Sequence, residues 1–581
     1  MRVLVLAGAA ALTFTMPITI AIVVVLVVVV TSYQQTIHAY PGGASSYIVA
    51  SDNLGPPAGL TAAASLLTDY VLTVAVSIAA GVAALTSIFP VLFPERVVIS
   101  LAFVLLICLG NLRGIRESGL IFAAPCYVYL VAIFGLLAFG LFRVITNDLP
   151  TAPALPHAAE AAATSTLGLL LVLRAFASGS VALTGVEAVS DGVPAFSPPE
   201  PKHAQTVLLL MGGLFATIFL GMSFLAGRMG ILPDPTEETT VISQLTSALV
   251  GGGSFYHYFV QISTALLLVL AANTAFSDFP RLSSILARDG YWPRQFSYRG
   301  DRLAFSTGIF VLTGLACLLL IGFDASVTNL IPLYTVGVFI AFTLSQSGMV
   351  KHWWRRRGTE SGWQRRAVVN GFGAIATGIV AVVVASVKFA LGAWVVLVLI
   401  PLLIGLMVAI HRHYRGVAEA MTMDLAPPFT ATGAPRVIVP VSRLDRAAYR
   451  ALRFARSLGG ELVAVHVSDN AADAEAMQQR WAEWNTGVEL VIVESPYRSL
   501  LPPLLAYIDA IRLTDPGAPV VIVVAEFVPR YFWQNFLHNQ AALRLKVHLL
   551  ARPNTIVVDV PTHLGQAVEE TGVASSPREG R

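Results

Sequence analysis

Long apolar stretches recur along most of this chain and constrain its fold more than any other feature. The first, residues 12–30, ends in an almost unbroken run of valines, IVVVLVVVV. A helix needs about 20 apolar residues to cross the hydrocarbon core of a bilayer. Of the 581 residues, 56% are hydrophobic and 12% are charged, whereas about 25% are charged in soluble proteins. The sequence therefore predicts an α-helical polytopic membrane protein.

About eleven spans are predicted within residues 1–414, which we interpret as the transmembrane domain. Segment 12–30 is counted as a span because it lacks the small-residue cleavage site of a signal peptide. Residues 415–434 are predicted to form a linker. The expected spans are 12–30, 61–89, 97–108, 119–141, 166–189, 207–226, 256–276, 305–321, 330–349, 367–389 and 393–410.

Basic residues concentrate in alternate connections, and the positive-inside rule places those connections in the cytoplasm. The tail that begins with HRHYRG at His411 joins the same face. Counting back through the alternation places Met1 outside, with no signal peptide to carry it there. We therefore expect that a first transmembrane helix precedes the chain as printed. The basic connections contain Arg113 and Arg116; Lys202; Arg281, Arg288, Arg294, Arg299 and Arg302; and Lys351, Arg355, Arg356, Arg357, Arg365 and Arg366.

One carboxylate lies inside an apolar segment, LLTDYVLTVAVS at residues 66–77. In a helix, Asp69, Thr73 and Ser77 form one polar stripe, and Tyr70 lies about 100° around from Asp69. A charged carboxylate at the centre of a membrane helix costs about 2.5 to 3.5 kcal/mol, so it must face a protein interior or a cavity. Hydroxyl and carboxylate oxygens suit a hard cation. The stripe indicates an ion path, although Asp69 could instead hold two helices together.

A second stretch, AFASGSVALTGVEAVSDGVPAF at residues 175–196, predicts an interrupted helix. Gly179 and Gly185 bracket Ser180 and Thr184, and glycine inside an apolar span lets a helix unwind and expose carbonyl oxygens. Close helix packing by small residues is the alternative.

Other polar residues near these spans carry weaker predictions. Glu187 and Arg174 flank the interruption and could pair or gate, whereas Asp191 is interpreted as a solvated helix cap. Asn273 and Tyr334 lie in apolar spans, where an interhelical hydrogen bond is the default and a cavity lining is the alternative.

From Pro435 onward the pattern changes to short β-branched runs separated by helical stretches. This alternation predicts a separate cytosolic α/β domain with a parallel sheet of about five strands over residues 435–563. Residues 564–581 are polar and are predicted to be disordered. The strand candidates are RVIVPVS, ELVAVHVS, ELVIVES, PVVIVVAE and NTIVVDVP.

Composition and spacing argue against several classes of function. The net charge of +3 is too small to suggest nucleic acid as a partner. The three cysteines, Cys108, Cys126 and Cys317, have no CxxC spacing, which argues against a disulfide framework and a zinc site. An enzyme is not expected, because no nucleophile, base and orienting group occur at useful spacing.

Three stretches together resemble the amino acid, polyamine and organocation (APC) permease superfamily, and within it the KimA-type potassium importers of the KUP potassium-uptake family. The resemblance implies a LeuT-type inverted repeat of twelve helices, the first and sixth broken, in the plasma membrane. It further implies secondary active import of potassium with protons by alternating access. In relatives the first helix supplies further ligands, and we expect this helix to lie upstream of the chain as printed. The stretches are YQQTIHAYPGGASSYIVASDNLG, LLTDYVLTVAVSIAAGVAAL and SGSVALTGVEAVSDGVPAF.

The resemblance also assigns residues and partners. It implies no cofactor, and the tail is similar to the universal stress protein fold. It implies that this tail forms a homodimer and receives a cyclic dinucleotide signal, with a simple assembly domain as the alternative. An amino acid permease and a membrane-anchored sensor remain open as alternative functions. The implied potassium ligands are Asp69, Tyr70, Thr73, Ser77, Thr184 and Tyr334.

The expected first helix yields a test at the level of the gene. We predict that the reading frame continues upstream of the Met1 codon and encodes an apolar segment of about 20 residues. Sequencing the upstream DNA and identifying the N-terminus of the protein in its native membrane measures this. An in-frame stop codon directly before Met1 would contradict the expectation.

Overall fold

A computed structural model describes residues 13–43, 45–113, 119–151, 168–234, 236–298, 305–421, 434–468, 470–495, 501–515, 517–528 and 541–563. The chain divides into two compact units, Met1–Thr422 and Met423–Arg581. The predicted disordered end, 564–581, lies outside the described residues, as do residues 422–433 of the predicted linker.

The first unit is helical throughout its described part. Short 3₁₀ turns connect several of its helices, including Pro90–Glu95 before the fourth. In chain order the helices are α1 (Thr15–Ala39), α2 (Ser46–Leu54), α3 (Pro56–Thr86), α4 (Arg96–Leu112), α5 (Gly119–Ile145), α6 (Leu169–Gly179), α7 (Val186–Asp191), α8 (Glu200–Met229), α9 (Val241–Val250), α10 (Phe255–Arg288), α11 (Ser306–Gly322), α12 (Val327–Arg355), α13 (Trp363–Lys388) and α14 (Ala393–Met421).

The helices coincide with the predicted spans. Within the described residues, nine helical segments are long and apolar enough to cross a membrane. The remaining two predicted spans fall on α11, which is shorter but apolar, and on the interrupted pair α6 and α7. The polytopic helical fold expected from the sequence is therefore confirmed.

Helix α10 is longer than its predicted span, 256–276, because it continues to Arg288. The added turns carry the polar residues Ser277, Asp278 and Arg281. Asp278 and Arg281 line an internal cavity. A hydropathy pattern ends the span at the first polar turn, although a helix inside a protein bundle continues where its polar side chains face a cavity.

The polar stretch after the first span contains a break in the helix. Helix α1 continues to Ala39, the chain turns at Pro41–Gly43, and α2 follows. Gly43 has a φ of +85°, and a Cβ atom there would lie 2.9 Å from the carbonyl oxygen of Asp191. Only glycine combines that φ with so close an approach. The turn therefore packs directly against the end of α7.

Helix α3 lies at the centre of the bundle. In its apolar window 78% of the residues are buried, compared with 6% in the window of α8. It packs against α2, α10 and α12. Because α3 carries Asp69, the carboxylate faces protein on all sides rather than lipid, as its desolvation cost requires.

The second unit is a five-stranded parallel sheet with helices on both faces. The strand order is β3-β2-β1-β4-β5, and every neighbouring pair is parallel. This confirms the predicted α/β domain, including all five strand candidates. The elements are β1 (Arg436–Pro440), α15 (Arg446–Arg456), β2 (Glu461–Ser468), α16 (Ala471–Trp484), β3 (Glu489–Glu494), α17 (Leu501–Thr514), β4 (Val520–Val528), α18 (Ala541–Leu550) and β5 (Thr555–His563).

Alternation along β1 sorts its side chains onto the two faces of the sheet. Val437 and Val439 pack with α15 and α16, whereas Ile438 packs with α17 and α18. Successive side chains of a strand point to opposite faces, and a parallel sheet covered on both faces needs apolar residues on each.

A surface ion pair fastens α17 to the end of α18. Arg552 donates two hydrogen bonds to Asp509, at 2.9 and 2.8 Å, and Arg512 donates a third at 3.0 Å. The bonds from Arg552 hold the pKa of Asp509 below its ordinary value. Since the carboxylate is two-fifths exposed, the pair contributes on the order of 1 kcal/mol.

We predict that Asp509→Asn destabilises the isolated domain, residues 434–563, by about 1 kcal/mol at pH 7. The folded-state pKa is lower than the unfolded value of about 3.9, so the ion pair stabilises above that pH. Its contribution disappears as the pH falls through the lowered pKa. Urea unfolding followed by circular dichroism at pH 7 and near pH 2.5 measures this, with the exposed Glu483→Gln as control. An equal loss at both pH values would contradict the ion-pair account.

Candidate functional site

The helix interruption predicted from Gly179 and Gly185 is present. Helix α6 ends at Gly179, a 3₁₀ turn covers Ser180–Leu183, and Thr184 is extended. Gly185 then takes a left-handed φ of +92° before α7 begins. A residue with a side chain rarely adopts that conformation. The break leaves backbone groups around Thr184 outside the regular helical hydrogen-bonding pattern.

A chain of hydroxyl groups links the break to two other helices. Thr73 of α3 donates to the Tyr334 oxygen at 3.0 Å, and Tyr334 of α12 donates to the Thr184 oxygen at 2.8 Å. Thr184 in turn donates to the carbonyl of Val181 at 3.0 Å. Three of the six predicted site residues, from three separate segments, are thus in direct contact.

Asp69 lies one turn before Thr73 on α3, and its carboxyl group is close to the hydroxyls of Thr73 and Tyr334. Its side chain is buried, with 8% of the residue surface exposed. The Oδ1 atom has no hydrogen-bond partner among the residues that the structure describes. Buried polar atoms nearly always have a partner. This oxygen is therefore free to bind a ligand or a proton.

Tyr70 turns away from the hydroxyl chain, as its position on the helix requires. Its hydroxyl donates to Oδ2 of Asp191 at 3.4 Å. Asp191 is partly buried, and its Oδ1 atom is buried without a hydrogen-bond partner in the described part of the chain. The interpretation of Asp191 as a solvated cap is therefore wrong, because the turn at Gly43 covers the end of α7.

Ser77, the last residue of the predicted stripe, is partly buried. It lies eight residues beyond Asp69, a rise of about 12 Å along the helix. No hydrogen bond joins Ser77 to the other predicted site residues within the described ranges. The structure therefore groups Asp69, Thr73, Thr184 and Tyr334, with Tyr70 beside them and Ser77 apart.

A polar cavity of about 390 Å³ lies on the Tyr70 side of α3. Its lining includes Tyr70, Asp191, Asp278 and Arg281. Arg281 donates to the backbone oxygen of Asp191 at 3.2 Å, which fixes the end of α7 to α10. Tyr70 places this cavity beside α3, although Asp69 itself is not among the residues that line it.

Glu187 is a further buried acid beside the break, which the sequence analysis named only as a flanking residue that could pair or gate. It follows the break directly and is buried, with 6% of its surface exposed. Its carboxylate accepts a hydrogen bond of 2.7 Å from the backbone N–H of Ser46, whose hydroxyl lies 3.3 Å from that of Tyr33. The signal was available, since Glu187 is an acid in an apolar span, as Asp69 is.

Two of the weaker predictions are also settled. An ion pair between Arg174 and Glu187, one of the two alternatives left open, is not seen in the described part of the chain: Nε of Arg174 is buried without a partner, and Glu187 accepts from Ser46. An interhelical hydrogen bond was the default prediction for Asn273, and the structure shows one: its side-chain oxygen accepts from Asn111 at 2.7 Å.

Close approach of α12 to α3 positions the hydroxyl chain. Gly337 lies one turn after Tyr334, and Ser65 lies one turn before Asp69. A Cβ atom on Gly337 would lie 2.9 Å from the carbonyl oxygen of Ser65. Since that neighbour is backbone, the helices must separate to admit a side chain.

We predict that Gly337→Ala destabilises the protein by about 1 to 3 kcal/mol through overpacking. The bond between Thr73 and Tyr334 should lengthen as the two helices move apart. Thermal unfolding in detergent and a structure of the variant measure these effects. Gly314→Ala is the matched control, because Gly314 is also helical but a methyl group added there would meet no atom within 4 Å. Equal stability of both variants would contradict the close-packing account.

Both units of the chain are similar to known proteins. Residues 3–427 match the family model described as amino acid permease. Residues 433–562 match the model described as the KimA potassium transporter C-terminal domain. A relative from Bacillus subtilis (strain 168), named potassium transporter KimA, is 41% identical over 536 residues, which cover 92% of this chain and 87% of the relative.

These matches cover both units, and they confirm the resemblance stated from the sequence. The relative is named as a transporter, which agrees with the expectation that the chain is not an enzyme. The chain belongs to the amino acid permease family, in which its C-terminal domain and its likeness to KimA place it among the KimA-like transporters.

Proposed function

We propose that this protein imports potassium across the plasma membrane as a secondary active transporter. The observation that carries the proposal is the buried carboxylate of Asp69, with an unpartnered oxygen, beside the hydroxyl chain at a helix break. The likeness over 92% of the chain to a protein named as a potassium transporter supports the choice of ion.

In this proposal potassium loses its water to oxygen ligands at the break. Asp69 supplies the negative charge, and Thr73, Thr184 and Tyr334 supply hydroxyl oxygens. Backbone carbonyls freed at the interruption complete the set, as at the broken helices of other transporters. The cavity beside Tyr70 and Asp191 then connects the site to one face of the membrane, and alternating access opens the other face.

Proton coupling forms part of the proposal. A coupling residue must bind a proton in one state and release it in another, and intramembrane carboxylates commonly do this. Asp69 and Glu187 are both buried acids next to the break. Protonation of either would remove a negative charge near the bound cation and so weaken its binding.

The family model for residues 3–427 favours a second candidate, an amino acid permease. Such a substrate brings its own carboxylate, which free helix N-termini bind well. Asp69 and Glu187 would repel that carboxylate, whereas they would attract a potassium ion. The acidic site therefore supports the cation over the amino acid.

We further propose that the C-terminal domain is cytoplasmic and forms a homodimer. The basic connections, including Arg355–Arg357 on the side from which the tail continues, support this orientation. A cyclic dinucleotide is the proposed regulator of this domain. Its parallel sheet reverses strand order between β1 and β4, and in open α/β sheets ligands bind at such a switch point.

The test is potassium uptake by potassium-depleted cells that lack their own importers. The chain as printed and the protein encoded by any longer upstream reading frame are both expressed. We predict potassium uptake that Asp69→Asn reduces at least about tenfold, because the cation loses its charged ligand. Asp324→Asn is the matched control, since Asp324 is an exposed carboxylate that pairs with Arg96.

Uptake must be compared among variants present in the membrane in equal amounts. Near-normal uptake by the Asp69→Asn variant would remove Asp69 from the mechanism. No potassium uptake by any form, with amino acid uptake instead, would establish the permease alternative. If neither substrate moved, a sensory role would replace transport. Uptake that leaves the internal pH unchanged would contradict proton coupling.

A further inference from the structure

A second cavity, of about 380 Å³, lies between α3, α11 and α14, apart from the polar cavity. Its lining is almost entirely apolar and includes Thr68 and Trp292. The volume lies in the range of small-molecule sites. Leu318 and Val395 line it and are 66% and 37% exposed on the outer surface of the bundle. The cavity is therefore a groove that opens toward the surrounding lipid.

The groove has the shape of an extended chain. Along α11 its lining runs from Val311 to Leu319, and along α14 from Val395 to Leu403. The two ends of each run are eight residues apart, a rise of about 12 Å along the helix. In a bilayer the molecules that reach this face are lipids, whose acyl chains match a long apolar groove. If the groove were empty, the side chains that line it would lose the dispersion energy of contacts with an occupant.

One residue of the lining, Trp292, carries a polar group without a partner among the described residues. Trp292 is buried, with 9% of its surface exposed, and its indole N–H has no hydrogen-bond acceptor among the described residues. A buried tryptophan N–H usually has an acceptor. Two residues further on, the exposed Arg294 stacks its guanidinium on Tyr414 of α14, 4.8 Å from the ring centroid. A hydrogen-bond donor and a positive charge therefore lie two residues apart in the segment that follows α10.

We propose that this groove binds one phospholipid. One acyl chain lies between α11 and α14, an ester carbonyl accepts the hydrogen bond of Trp292, and the phosphate lies beside Arg294. The bound chain touches Val71 of α3 and Leu333 of α12. These two helices carry the hydroxyl chain, so the lipid supports the packing that brings Thr73 and Tyr334 together. The lipid site does not depend on which substrate the protein transports.

Native mass spectrometry of the full chain, purified in mild detergent, tests the proposal. We expect one phospholipid per chain to survive detergent washing of the wild type. Leu318→Trp fills the groove and should reduce this retention at least about tenfold. Leu106→Trp is the matched control, because Leu106 on α4 is equally exposed, at 66%, but lies outside the groove. It should retain the lipid as the wild type does.

Trp292→Phe provides a second variant that keeps an aromatic ring but removes the donor. Loss of one hydrogen bond should weaken retention by about two- to tenfold. Elution profiles show whether each variant is folded. The proposal is overturned if the wild type retains no phospholipid, or if Leu318→Trp and Leu106→Trp lose lipid equally. Unchanged retention by Trp292→Phe would overturn the assignment of the ester carbonyl to Trp292.

Discussion

The cost of holding a carboxylate inside the membrane governs the arrangement of the transport unit. Asp69 can lie at the middle of the bilayer only if protein surrounds it, and α3 is the most enclosed of the long apolar helices in the described part of the chain. Only a few polar groups lie beside the Asp69 carboxylate. Hydroxyls of Thr73 and Tyr334 lie close to the carboxylate, while one of its oxygens has no partner among the described residues. The site is therefore a net acceptor, and it favours a cation.

Two glycines make this arrangement possible, in different ways. Gly185 takes the left-handed conformation that ends the 3₁₀ turn and restarts the helix, so Thr184 can face Tyr334. Gly337 removes a side chain where α12 crosses α3, so Tyr334 can also face Thr73. A broken helix and a close helix crossing thus converge on one tyrosine. Without either the break at Gly185 or the close crossing at Gly337, the hydroxyl chain would be incomplete.

The sequence predicted the helices, the interruption and the parallel sheet because these depend on local periodicity and on glycine. It also indicated Asp69 and Thr184, since polar groups in apolar spans carry a large desolvation cost. The sequence could not show which of the polar side chains contact one another. Thr73 and Tyr334 are 261 residues apart, and Tyr334 and Thr184 are 150 apart. Ser77 shares the helical stripe of Asp69, but within the described ranges no hydrogen bond joins it to the hydroxyl chain, and its place in the site stays a prediction.

Asp191 and Glu187, the two acids after the break, show a second limit on what the sequence can predict. Asp191 stands near the end of an apolar run, where a sequence pattern predicts solvent, yet the turn at Gly43 covers it. That contact joins residues about 150 positions apart, which periodicity cannot reveal. Glu187 was recognised only as a flanking charge, because its partner is a backbone N–H at Ser46. Backbone donors leave no trace in a side-chain pattern.

Direct observation of the ion tests the central claim. Thallium(I) resembles potassium in charge and size and scatters anomalously, so crystals of the full chain soaked in thallium would locate the site. The account predicts an anomalous peak within bonding distance of the Asp69 carboxylate and the hydroxyls of Thr73 and Thr184. The peak should vanish in Asp69→Asn crystals. Thallium bound elsewhere in the bundle, with none beside a well-ordered Asp69, would contradict the account.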